Sequence, residues 1–178
     1  LRLVASGLEM LIVSMDGTTQ EVYETYRKGG RLKTVKENIR TIVRAKRERK
    51  ARHPVIEIQF LLMKHNVHQA REIHRLGREL GADRCRTFPI VLNIRNEEQR
   101  ARWLPEREEL CRYNLDSLED RFYSLTRACP WLWQSAVVNW DGTVSPCCVY
   151  EGEKTEMGGN IFREGFRNLA AGADAMSL

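Results

Sequence analysis

VIEIQFLLM, residues 55–63, decides how this chain folds. It is an almost unbroken apolar run of strand length, the way a β-strand reads when both of its faces are covered in a parallel α/β sheet. Working outward, Asn66 is placed to cap a helix whose Val67, Ala70, Ile73, Gly77 and Leu80 fall on one face, with Gly81 at its stop. Upstream, Met10 to Ser14 is a shorter apolar run that ends at Asp16-Gly17. Thr18-Thr19-Gln20-Glu21 then has capping-box spacing, with a helix to about Lys28 and Gly29-Gly30 as its end. Val35, Ile39, Ile42 and Val43 form the apolar stripe of a second helix, and a third strand is expected over Arg84 to Leu92. The order is βαβαβ, a parallel sheet with helices packed on it.

The character changes near residue 93. Residues 95–128 are rich in charge and are expected to form a helical bridge rather than a core. From Cys129 onward the chain reads as short strands. Ser135 to Trp140, Asp141-Gly142 and Thr143 onward spell a hairpin with a tight Asp-Gly turn. Gly158-Gly159 interrupts the chain again before a short helix near Arg163.

Composition narrows the function classes. Nothing approaches the roughly 18–20 apolar residues of a membrane span, and LRLVASGLEM lacks the cationic start and apolar stretch of a secretion signal, so a cytoplasmic protein is expected. Without an initiator methionine, the chain is expected to be a piece of a longer one. The net charge of +5 is concentrated in RAKRERKAR, residues 44–52. This stretch reads as the solvated end of an amphipathic helix. No aromatic residues alternate with its charges to stack on bases, so nucleic acid is not the expected partner.

Five cysteines with no secretory signal point to metal or buried thiols before disulfides. A hairpin through Asp141-Gly142 carries Cys147 back toward Cys129, and Pro146 stiffens the approach. Clustered thiolates are what an iron–sulfur cluster or a structural zinc takes, and four are the usual number. Cys148, adjacent to Cys147, points the other way in an extended chain. Small buried apolar residues remain the competing reading for these cysteines. Cys85 and Cys111 are simplest as buried or half-buried thiols. His65 and His68, three apart with no thiol or carboxylate in register, read as surface residues. Trp131, Trp133 and Trp140 are expected to shield the thiols and fill a small core.

CPWLWQSAVVNWDGTVSPCC (129–148), with twelve residues between Cys129 and Gly142 and four between Gly142 and Cys147, and then MGGNI (157–161), resembles the start of the SPASM domain. That domain is the auxiliary-cluster extension of radical S-adenosylmethionine enzymes. GLEMLIVSMDGTTQEVYETYRKGG (7–30), with Ser14-Met15-Asp16-Gly17 as its SxDG, resembles the fourth strand and helix of the radical S-adenosylmethionine partial barrel. IEIQFLLMKHNVHQAREIHRLGRELGAD (56–83) resembles the fifth. The resemblance implies an α/β fold: about three strands of a partial parallel (β/α) barrel over 1–94, a helical bridge over 95–128, and a small α+β, cysteine-containing SPASM-like domain with a β-hairpin over 129–178.

The resemblance also implies a function. An auxiliary 4Fe–4S cluster is to be held by Cys129, Cys147 and Cys148. Ser14, Asp16, Gln59 and Asn66 are to line a cavity for S-adenosylmethionine, which in the intact enzyme carries its own 4Fe–4S cluster. The implied activity is of oxidoreductase type, on a peptide or protein substrate. Turn-forming at Asp16 and helix capping at Asn66 are the alternative readings of those two residues, while an amide at Gln59 inside an apolar strand is costly unless it faces a cavity. The chain lacks the CxxxCxxC of the S-adenosylmethionine cluster and the downstream cysteines that complete the auxiliary site, and Gln69 stands where the family often has Glu. By itself it is therefore expected not to cleave S-adenosylmethionine, and a missing N-terminal half is the implied partner. The alternative is a non-catalytic iron–sulfur or zinc module that docks on another chain through the unpaired edge of strand 10–14.

Overall fold

The computed structural model describes residues 2–121, 136–145 and 160–165. The chain divides into two units, Leu1–Tyr123 and Ser124–Leu178. In the first unit β2 (Val55–Leu62) lies between β1 (Met10–Ser14) and β3 (Arg84–Pro89), and both pairings are parallel. Alternation along β2 sorts its side chains: Ile56, Ile58, Phe60 and Leu62 are buried on one face. They share one core with Tyr23 of α2 (Gln20–Tyr26), Leu32, Ile39 and Val43 of α3 (Leu32–Glu48), and Ile73 and Leu80 of α4 (Ala70–Leu80). Strand order follows chain order and the helices share a face, the winding that builds a (β/α) barrel. No residue of β2 is exposed, as its apolar run implied, although the helices pack on one face only. On the opposite face Met10, Ile12 and Phe88 remain 39%, 49% and 37% exposed.

Several local readings shift for tertiary reasons. The cap of α2 is Thr19, whose side chain accepts from the Val22 N–H, and not a Thr18–Glu21 box. Thr18 is taken by contacts from α4's side: its hydroxyl donates to Glu72 Oε2 and its N–H to Gln69 Oε1, each at 2.8 Å. Asn66 makes no side-chain cap either; a 3-10 turn, Val67–Gln69, leads into α4. Gly81 ends α4 in the left-handed conformation, as expected. Gly77 allows α4 to lie close against the sheet, since a Cβ there would stand 3.2 Å from that of Cys85. At the basic end of α3, Lys46 is not solvated. It is buried and pairs with Asp83 at 2.6 Å.

The expected helical bridge is mostly irregular within the described residues. A short α1 (Arg2–Ala5) precedes β1, and between β3 and residue 121 the described residues form α5 (Glu97–Trp103) and a 3-10 turn at Glu108–Leu110. This segment has a core of its own in Leu104, Cys111 and Tyr113, with Leu92, Ile94 and Leu115 against it. The Tyr113 hydroxyl donates to Leu92 O and accepts from Leu92 N, which pins the chain leaving β3.

In the second unit β4 (Val137–Val138) and β5 (Val144–Ser145) form the antiparallel hairpin. Its turn is one residue longer than an Asp-Gly pair. Gly142 N–H returns to Asn139 O at 2.9 Å, and Gly142 has φ +84°, while Trp140 and Asp141 keep negative φ. That is a three-residue loop closed by a left-handed glycine, because a two-residue type I′ turn at Asp141-Gly142 would need positive φ at both positions. A last short helix, α6 (Ile161–Glu164), is capped by Asn160. No helix among the described residues is long and apolar enough to cross a membrane.

Candidate functional site

Two places gather the residues singled out in the sequence. The first is the carboxyl end of β1 and β2. Asp16 is wholly buried; Oδ1 accepts from Leu61 N at 2.8 Å and Oδ2 from Arg27 Nε at 2.7 Å. Asn66, also wholly buried, accepts from Met63 N and donates to both Asp16 O and Leu61 O, at 2.8, 3.0 and 2.9 Å. Both side chains are saturated by backbone and by Arg27. They tie the β1–α2 turn to the end of β2. Gln69 extends this knot: its amide oxygen holds Thr18 N–H, a contact that an acceptor oxygen of either Gln or Glu can make.

Ser14 and Gln59 are placed differently. They are register partners on the sheet face away from the helices, Ser14 exposed and Gln59 half-buried. Gln59 Nε2 donates to Glu57 Oε1 at 3.2 Å, and Arg86 Nε approaches Glu57 Oε2 at 3.3 Å. Glu57 is only 3% exposed, so these partners take the place of water around its carboxylate. Sequence reasoning missed Glu57 and Arg86. The signal was present in VIEIQ, where Glu57 and Gln59 are two apart, on one face of a strand otherwise apolar.

His65 is corrected as well. It is half-buried rather than on the surface, its ring set edge-on to Trp103 at 5.6 Å, and neither ring nitrogen makes a hydrogen bond. Burial pushes its pKa down. The Val22 backbone, near but outside hydrogen-bonding geometry, and the Asp16 carboxylate oppose that shift. His68 is exposed, as expected.

The second place is the hairpin. Asp141 Oδ1 accepts from Thr143 N and Oγ1, at 3.1 and 2.6 Å. Asn160 crosses to the turn, donating to Asp141 O at 2.7 Å, while Ile161 N–H donates to Gly142 O at 2.8 Å. A Cβ on Gly142 would stand 2.6 Å from Asn160 Oδ1, so only glycine fits beneath this contact. The DGT of the hairpin and the NI of GGNI are thus one structural element. Trp140, expected to shield the thiols, is instead 90% exposed at the turn.

Residues 129–177 match the family model of SPASM, an iron–sulfur cluster-binding domain. No curated protein and no solved structure matches the chain. The SPASM domain binds iron–sulfur clusters, and its matched span contains Cys129, Cys147 and Cys148. These three, with Trp131, Trp133 and Gly158-Gly159, lie outside the described residues.

The donor chemistry fits such a group, since thiolates are the ligands of these clusters. The hairpin also sets Ser145, two positions before Cys147, beside Val137. Cys85 and Cys111 do not fit. Cys85 Sγ lies 3.6 Å from Ile73 O, and Cys111 Sγ 3.2 Å from Pro105 O. Burial pushes both thiols above their ordinary pKa, away from the thiolate a metal needs. They are packed thiols, as their sequence reading held. Among the described residues no group of three His, Cys, Asp or Glu side chains could hold a metal ion.

Proposed function

We propose that this chain is the carboxyl-terminal part of a radical S-adenosylmethionine enzyme of the SPASM class, one that modifies a peptide or protein. The match over residues 129–177 carries the reading. It is supported by what precedes that span, a parallel βαβαβ layer wound as in a (β/α) barrel with its helices on one face. In such barrels chemistry collects at the carboxyl ends of the strands. Here Ser14, Gln59 and Arg86 present hydroxyl, amide and guanidinium groups on the open face, with the Glu57 carboxylate buried beneath Gln59 and Arg86.

In this reading Cys129, Cys147 and Cys148 hold an auxiliary 4Fe–4S cluster, which supplies electron-transfer chemistry when bound. Ser14 and Gln59 contribute polar contacts to the S-adenosylmethionine and substrate cavity. Asp16 and Asn66 act behind it, fixing the strand ends. The residues of the chain hold and orient, and the cofactor performs the hard step. A CxxxCxxC motif, absent from this sequence, has to come from a companion segment.

Anaerobic reconstitution with iron and sulfide tests the proposal. Iron and acid-labile sulfide in near-equal amounts, with thiolate-to-iron absorption lost in Cys129→Ser and Cys147→Ser, are expected. The chain alone is expected to form no 5′-deoxyadenosine. Zinc in place of iron, or cluster formation indifferent to both substitutions, would overturn the assignment.

A further inference from the structure

At the amino ends of β2 and β3, the far end of the sheet from Ser14 and Gln59, the first unit holds a cleft of about 420 Å³. Its lining includes Lys46, Arg47, Lys50, Arg52, Gly81 and Asp83. The volume lies within the range of small-molecule sites. The charges there divide into a settled pair and an unsettled trio. Asp83 accepts from Lys46 Nζ at 2.6 Å and from Ile56 N at 2.7 Å, so the acid and the buried lysine neutralise each other. Arg47, Lys50 and Arg52 make no side-chain hydrogen bond or ion pair among the described residues. Three like charges around one concavity repel, and an anion placed between them relieves that repulsion.

The end of α3 does not oppose this. A helix carboxyl terminus repels anions through its unpaired carbonyls. Here Ala45 O, Lys46 O and Arg47 O are occupied by the N–H groups of Arg49, Ala51 and Lys50. Lys50 turns the chain with φ +50°, carrying Ala51 and Arg52 around the cleft instead of away from it. Two guanidinium groups, whose planar forks match phosphate oxygens, and one ammonium set the specificity. The lining contains no aromatic side chain on which a nucleobase of a bound strand could stack.

We infer that this cleft binds a small phosphate polyanion, a polyphosphate or a nucleoside triphosphate, through Arg47, Lys50 and Arg52. The site is distinct from the open sheet face that carries Ser14 and Gln59. The test is calorimetric titration of the full chain with inorganic tripolyphosphate, ATP and a single-stranded RNA dodecamer, at low and at raised salt. One tripolyphosphate per chain is expected to bind, more weakly as salt rises. The exposed double substitution K50E/R52E should weaken it by about tenfold or more, about 1.4 kcal/mol. K28E/R40E, an equal change of net charge elsewhere on the first unit, should leave it within about twofold. ATP binding tighter than tripolyphosphate identifies a nucleotide as the ligand, and equal binding identifies the phosphate chain alone. The inference is overturned if tripolyphosphate does not bind, if both double variants weaken it equally, or if only RNA binds. Circular dichroism confirms that each variant is folded.

Discussion

Replacing Asn66 by alanine tests whether the strand ends are fixed by a side chain or left free for a ligand. The amide makes three bonds from a site with no solvent exposure. Losing its donors to Asp16 O and Leu61 O costs about 1 kcal/mol each, and the Met63 N–H, left buried without an acceptor, costs about 1–3 kcal/mol. The sum is about 3–5 kcal/mol, a large part of the roughly 5–15 kcal/mol that holds a domain folded. With a urea slope of about 2 kcal/mol per molar, the midpoint should fall by about 1.5–2.5 M with no change in slope. Asn66→Asp separates the bonds: it keeps an acceptor for Met63 but aims a second oxygen at two carbonyls. Its carboxyl pKa is therefore raised, and its deficit should shrink as the pH falls through that raised value. Urea unfolding followed by circular dichroism measures both variants. A midpoint within about 0.5 M of the parent for Asn66→Ala would refute the account and return Asn66 to the ligand-facing role its position in the sequence suggested.

Gly142→Ala should lower the iron bound after reconstitution, because its Cβ collides with Asn160 Oδ1 in a left-handed conformation. Cys85→Ser and Cys111→Ser should leave iron content unchanged while Cys147→Ser abolishes it, read by elemental analysis. Burial opposes the charged form of Asp83, but the Ile56 N–H and the Lys46 ammonium outweigh it and hold the carboxyl below its ordinary range. Its stabilisation is therefore complete above about pH 3.9 and is lost as the pH falls through the lower folded value, and Asp83→Asn should remove that acid dependence. His65, held below the ordinary imidazole value, should make stability decline as the pH drops below about 6.5, a slope that His65→Phe abolishes in urea midpoints measured across pH.

Much of the architecture was legible in the residues, because burial leaves periodic marks. The apolar run at 55–63 announced the central strand, the stripe of Val35, Ile39, Ile42 and Val43 announced α3, and Gly81 announced the end of α4. Asp141-Gly142 marked a hairpin, though not its loop length. Which of two adjacent residues takes the left-handed conformation depends on Asn160, which docks from eighteen residues beyond Gly142. Among its described residues the segment after β3 is mostly irregular where helix was expected, because charge density records exposure, not conformation.

What the sequence alone determined was the order of elements, one face of each, and a thiol-bearing carboxyl-terminal segment whose letters match a cluster-binding domain. What only the tertiary structure decided was the use of each polar residue. Thr18, Asp16 and Asn66 each carry the signature of a local turn or cap, yet Thr18 bonds Glu72, Asp16 bonds Leu61 and Asn66 reaches the Asp16 carbonyl, contacts set by strand pairing and helix docking. A polar side chain commits to whichever partner the fold leaves unsatisfied nearby. Local sequence records what a residue can bond, and the packing of distant segments determines which of those bonds water no longer competes for.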